Sequence, residues 1–185
     1  LIDYTAYLRG IIADISAVCP EFSHIKTDSI IVTFSRSKSN KLTGVLAFLA
    51  PFRFENGVTV TTKNGKLYEI PTIVHEGKVM LYMIGFVYPR FIDLPLHEKA
   101  RTIVHEMYHI SEKFDGDIRR FPGRTFAHSG RKANFDKEAE RIAKEWLQKT
   151  KTDTTILAMD SQTLKKNFSK VIGTRFPRPK IKRLS

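Results

Sequence analysis

Cysteine is almost missing from this chain: Cys19 is the one thiol in 185 residues. A single thiol excludes an internal disulfide and a cysteine cluster around a metal, and it points to a cytoplasmic protein. No run approaches the roughly 18 consecutive apolar residues of a transmembrane helix, so such a helix is excluded on length and no membrane partner is expected. The start, Leu1-Ile2-Asp3-Tyr4, shows neither an initiator methionine nor a basic-then-apolar leader. Acidic residues are missing from Ser161 to Ser185, a stretch that holds eight basic ones: Lys165, Lys166, Lys170, Arg175, Arg178, Lys180, Lys182 and Arg183. The residues before it carry only the remaining third of the net charge of +12. Such a concentration suits a polyanionic partner, and nucleic acid contacted through the basic C-terminus is one expectation. The other is a wet outer face that serves solubility.

What is present suffices for one globular domain. The chain is 42% hydrophobic and 27% charged, and thirteen Phe and six Tyr can fill a core. Apolar positions at Tyr4, Tyr7, Leu8, Ile11, Ile12, Ile15 and Val18 trace one helical face, which Pro20 ends. Residues 29–35 and 43–54 have strand character, with Pro51 marking an edge or a break. Asn56-Gly57 and Asn64-Gly65 bracket an alternating run from Val58 to Thr62. Lys66–Val74 and Lys78–Val87 would complete an antiparallel meander around a turn at His75-Glu76-Gly77. A helix is predicted over 95–113, then an aperiodic stretch over 115–134, then a second helix over 135–149. Thr154–Met159 reads as a short strand and Asp160–Phe168 as a short helix. The sequence thus divides into a domain over 1–172 and a basic tail over 173–185, extended along the surface or disordered without a partner. The order of elements gives an α+β fold with an antiparallel or mixed sheet.

The predicted helix over 95–113 carries His105-Glu106-Met107-Tyr108-His109, an H-E-x-x-H pattern. Four residues apart, the two imidazoles lie roughly 40° apart around a helix and can grip one ion from the same side. Glu106 flanks that face, within reach of a metal-bound water. Ala100, Ile103, Val104, Met107 and Ile110 form the apolar back. The pattern points to Zn2+ as cofactor, and an open zinc site needs a third protein ligand. His128 in the long loop is the first choice for it. Asp115 follows His109 by six residues, the place of the third ligand in metzincins, but the glycine that the metzincin pattern expects three residues after the second histidine, for a sharp turn back, is Glu112 here. Asp136, Glu138 and Glu140 on the following helix are further options.

The run from His105 through Phe114-Asp-Gly-Asp-Ile-Arg-Arg120 to His128, with Phe135-Asp136 after it, resembles a family of metallopeptidases of phages, archaea and bacteria. More loosely it is similar to SprT-like zincins, whose third histidine also lies downstream of the motif helix. The resemblance covers residues 97–136. It implies a single zincin-like domain with an HExxH active-site helix, and a zinc metallopeptidase acting on a protein or peptide. The zinc ribbon often found after SprT-like domains has no counterpart in a chain with one cysteine.

On that expectation, zinc on His105, His109 and His128 activates water and Glu106 acts as general base and then acid. Arg119, Arg120, Arg124, Tyr108 and His75 are candidates to stabilise an oxyanion. Asp115 and Asp117 are candidates for supporting groups, with the arginines pairing to them to stiffen the loop. A peptide substrate would add as a strand to an exposed edge formed by Val79–Val87. The alternative function is a nucleic-acid-associated zinc protein whose metal is structural or supports a hydrolysis other than that of peptides.

Overall fold

Asp3 opens the first helix, α1 (Tyr4–Val18), by accepting hydrogen bonds from the Ala6 amide at 3.0 Å and the Thr5 hydroxyl at 2.7 Å. Its apolar stripe, Tyr4, Leu8, Ile11, Ile12 and Ile15, is buried in full, and the helix stops before Pro20 as the sequence predicts. The computed structural model describes residues 1–37, 44–121 and 132–184.

The helix packs on a three-stranded mixed sheet. Strand β2 (Ile30–Arg36) runs parallel to β8 (Tyr82–Tyr88), and β3 (Ala47–Pro51) pairs antiparallel on the other side of β8. The order is therefore β2-β8-β3, with the nearly continuous apolar run of β8 in the centre, buried on both faces. Gly85 in β8 makes room for this packing: a Cβ there would land in the ring of Phe48 across the ladder. Alternation sends Val32, Ile84 and Phe86 toward the helices, while Ile31 and Met83 face a smaller cluster with Phe52, Ile70 and Met80.

The expected meander does not form. Asn64-Gly65 closes a hairpin of β4 (Val60–Lys63) and β5 (Lys66–Glu69), and Glu76-Gly77 closes another of β6 (Ile73–His75) and β7 (Lys78–Met80). Pro71 cannot donate to a ladder and splits the single strand predicted over 66–74. After β7 the Leu81 amide turns to the Ser29 carbonyl at 2.9 Å, which sets β8 alongside β2 rather than along its own hairpin.

Helix α2 (Leu96–Tyr108) and helix α3 (Lys132–Lys149) pack on each other and on the helical side of the sheet. Trp146 of α3, fully buried, donates to Asp14 of α1 at 2.6 Å, and Asp14 also takes the hydroxyls of Thr150 and Thr152. The strand predicted over 154–159 is instead a helical turn, α4 (Thr155–Ala158), because Asp153 accepts the Thr155 amide at 2.8 Å and starts it. Helix α5 (Ser161–Asn167) follows under an Asp160 cap, and β9 (Val171–Ile172) then runs parallel to β1 (Ile2–Asp3). From Gly173 the chain crosses to the other sheet face. Thr174 accepts from the Phe34 amide, Phe176 enters the smaller cluster, and β10 (Lys182–Arg183) pairs antiparallel with β5. The result is one α+β domain with open sheets. No helix among the described residues is long and apolar enough to cross a membrane.

Candidate active site

Helix α2 has the two-sided character that its sequence predicts. Ala100, Ile103, Val104 and Met107 are wholly buried at the back, and His105 and Glu106 face a cavity of about 500 Å³. The helix ends at Tyr108, short of the predicted residue 113, so His109 lies just beyond it as the capping residue. The chain turns there because the Ile110–Ile118 bridge, with Phe114 and Gly116 at positive φ, closes a tight hairpin. Gly116 is required at its apex, where a Cβ would press on Arg53 and Leu81. Tyr82 pins the hairpin from β8: its hydroxyl donates to the Asp117 carbonyl and accepts the Gly116 amide, both at 2.9 Å.

Across the cavity stands β3. Its ladder bonds to β8 include Leu46 O with Val87 N and Phe52 N with Leu81 O. Antiparallel pairs alternate, so the backbone groups of Ala47 and Leu49 point to the outer edge, where the sheet order among the described residues places no further strand. Glu106 lies under that edge and is only 8% exposed. Burial pushes its carboxyl up to about 7, opposed by a hydrogen bond from the Leu49 amide and by the charge of Arg178. Arg178 arrives from the C-terminal segment and stacks 3.7 Å over the ring of Phe48.

The two histidines stand together, Nε2 to Nε2 at 3.2 Å. His105 turns its Nδ1 toward the Asp136 carboxylate of α3 at 3.4 Å. Phe135 closes over both imidazoles, with ring centroids 4.8 Å from His105 and 4.6 Å from His109, and also meets Tyr108 and Phe121. The cluster therefore has a buried carboxyl, a paired set of imidazoles, one oriented by a carboxylate, and an aromatic wall.

A zinc site with one position open for water needs three protein ligands. Among the described residues no group of three or more His, Cys, Asp or Glu side chains is placed to hold a metal. The carboxylates considered for the third position are engaged elsewhere. Asp136 faces His105, Glu138 pairs with Arg141, and Glu140 meets His97 at 2.7 Å and Lys144 at 3.0 Å. Asp117 forms a two-pronged pair with Arg120 at 2.7 and 3.0 Å, and Asp115 accepts the Asp117 amide at 3.2 Å. His128 and Arg124 lie outside the described residues. The zinc-based expectations are accordingly corrected. The described residues supply no site for Zn2+ as cofactor, and the zinc metallopeptidase goes with it. So do the alternative of a nucleic-acid-associated zinc protein and the affiliation with the phage, archaeal and bacterial metallopeptidases or SprT-like zincins. In comparisons with known proteins, no family model, curated protein or solved structure matches the chain.

The remaining predicted residues are dispersed. Arg119 lies 4.3 Å over the Tyr108 ring and bonds Glu112, so it braces the hairpin. Asp115, Asp117, Arg119 and Arg120 line a second cavity, of about 410 Å³, whose lining holds none of His105, Glu106 and Asp136. His75 packs against Phe176, with ring centroids 5.6 Å apart. Sequence reasoning missed Arg178, which comes from a distant segment, and set the substrate edge on Val79–Val87, whose strand β8 is the central one; the edge expected at Pro51 is that of β3. It also missed Lys99, wholly buried, whose ammonium donates to the Leu157 and Met159 carbonyls at 2.8 and 2.6 Å. A signal for Lys99 existed: it precedes Ile103 and Met107 at spacings of four, squarely on the apolar stripe.

Proposed function

We propose that the protein is an acid–base catalyst acting on an extended polypeptide segment laid along the outer edge of β3, with Glu106 as the proton-exchanging group. The observation that carries this is the placement of an almost buried carboxyl beneath a strand edge that no described strand extends, at the wall of a cavity of about 500 Å³. Such an edge offers backbone donors and acceptors at fixed spacing, which is how sheets take up extended peptides. A carboxyl held near neutrality exchanges protons in both directions at working pH, as a general base when charged and as an acid when neutral. His105 and His109 form the second proton-exchanging pair, and Asp136 orients the first of them.

Incubation of the protein with a defined set of unstructured decapeptides tests the reading. Mass spectrometry of the peptides reads any chemical change without presupposing the reaction, and amide exchange reads protection at Ala47, the Leu49 amide being already bonded to Glu106. Protection at the Ala47 amide, with turnover lost and binding kept in Glu106→Gln, is the expected result. Turnover unaffected by that substitution, or peptide binding without protection at β3, would reject the proposal.

A second reading concerns nucleic acid at the basic C-terminus. It is favoured by the way Thr174, Phe176 and β10 hold that segment extended, with Arg175, Lys180 and Lys182 exposed along it. Affinity for a short single strand should fall steeply with added salt, since each phosphate neutralised releases counterions; a flat salt response would remove this reading.

A further inference from the structure

The opposite edge of the sheet bears a different cavity, of about 560 Å³, between the end of β2, the β8 end at Tyr88, and the chain running from α5 through β9. Its apolar walls include the rings of Phe34 and Phe168. Around them stand Arg36 from β2, Lys165 from α5, and Lys170 and Arg175 on either side of β9. Among the described residues no acidic one lines it. All four cations are exposed, and none enters an ion pair or a side-chain hydrogen bond among the described residues. Four like charges brought together from separate elements repel one another, and an anion between them relieves that repulsion.

We infer that this cavity binds a nucleoside phosphate, its base against Phe34 and Phe168 and its phosphates among Arg36, Lys165, Lys170 and Arg175. The size falls within the roughly 300–1,000 Å³ of small-ligand sites. Four cations exceed what a single carboxylate would neutralise and match a chain of phosphates. Aromatic faces provide stacking that is tolerant of the particular base. Phe34 is held in place by Tyr4 and Phe86, at centroid distances of 5.8 and 6.4 Å, so its ring is a fixed platform. Phe176, the other aromatic residue of the basic segment, is packed in the smaller core cluster and contributes nothing here. The cavity lies at β2, across β8 from the Glu106 cleft, so this inference stands independently of the proposed catalysis.

The same chemistry is presented by a free nucleotide and by one unit of a single strand, and titration of the full chain at low salt with three probes separates them. ATP should bind with one-to-one stoichiometry, and tripolyphosphate, which lacks the base, at least about tenfold more weakly. If instead ten-residue oligothymidylate binds and ATP does not, the nucleotide unit comes from a strand. In either case the double variant Arg36→Ala, Lys170→Ala should weaken the bound probe at least about tenfold. The pair Lys63→Ala, Lys151→Ala removes the same charge outside both the cavity and the C-terminal segment and should leave affinity within about twofold. Both pairs replace exposed residues, and an unchanged melting temperature verifies their folding. Equal weakening by both pairs, equal affinity for tripolyphosphate, or no binding of any probe would overturn the assignment.

Discussion

Replacing Glu106 by Gln should shift stability in favour of the variant as the pH rises from 4.5 to 8. Burial raises the carboxyl from its ordinary 4.5 to about 7 in the folded state. A folded value above the unfolded one means that the native protein holds more protons than the unfolded chain between those two pH values. The stability contributed by this group is then fully present below pH 4.5 and is lost as the pH rises through 7. At about 1.4 kcal/mol per pH unit of displacement, the loss amounts to roughly 3 kcal/mol. Gln is neutral throughout and keeps an oxygen for the Leu49 amide, so its stability should lack this component. The offset between the two proteins at acid pH depends on how the new amide finds partners, so the informative quantity is its change with pH. Unfolding by urea at intervals from pH 4.5 to 8 measures it, with the fluorescence of Trp146, the one tryptophan and fully buried, as a global probe. Charged groups remote from position 106 are common to both proteins and cancel in the difference. The gap should widen in favour of the variant by roughly 3 kcal/mol across the range. Parallel curves, within about 0.5 kcal/mol, would refute the claim that the carboxyl is held near neutrality by burial. A side chain that lowers stability while facing a cavity is what a working acid–base group looks like energetically.

Arg178→Gln removes a positive charge that holds the Glu106 carboxyl down, so the Glu106 midpoint read by carbon NMR should move upward, and an unchanged midpoint would detach Arg178 from the site. Lys99→Met leaves the Leu157 and Met159 carbonyls without their donor and should cost roughly 1–3 kcal/mol at pH 7 by urea unfolding. Because burial lowers the Lys99 ammonium to about 8 from 10.5, the parent gains stability from this group as pH rises between those values; the Met variant should lack that gain, and an identical pH dependence would contradict it. Gly85→Ala drives a methyl group into the Phe48 ring and should destabilise by roughly 1–3 kcal/mol while displacing β3, which loss of peptide protection at Ala47 would register.

Elements governed by local periodicity were legible in the sequence. The stripe of α1, the amphipathic face of α2 and the Asn64-Gly65 hairpin all follow from residues within a few positions of one another. Pairing at long range was not legible. Nothing in 30–36 or 82–88 states that these runs lie side by side, and between the two strands of this parallel pair the chain passes through β3, two hairpins and the Leu81 turn. The end of α2 was misplaced because apolar residues continue to Ile110 and Phe114, while the chain is turned by the Tyr82 hydroxyl from another strand. The C-terminal segment looked aperiodic because Phe176 and β10 are held by partners more than a hundred residues earlier, Thr33 and Glu69 among them.

The same division between local and distant information explains which parts of the site were anticipated. A spacing of four on a helix is enough to bring two imidazoles together, and the Nε2 atoms of His105 and His109 stand 3.2 Å apart. Coordination number is a tertiary property, fixed by which carboxylates remain available once the fold has paired them. Asp136 was one candidate ligand, and the fold turns it to the far nitrogen of His105, where it orients the ring. Asp117 is drawn into the fork of Arg120 under the hydroxyl of Tyr82. Glu106 acquires its character from β3 and Arg178, neither of which is near it in sequence. An H-E-x-x-H spacing therefore specifies a helix face that gathers two imidazoles and a carboxyl, and the packing around that face decides which further groups they meet.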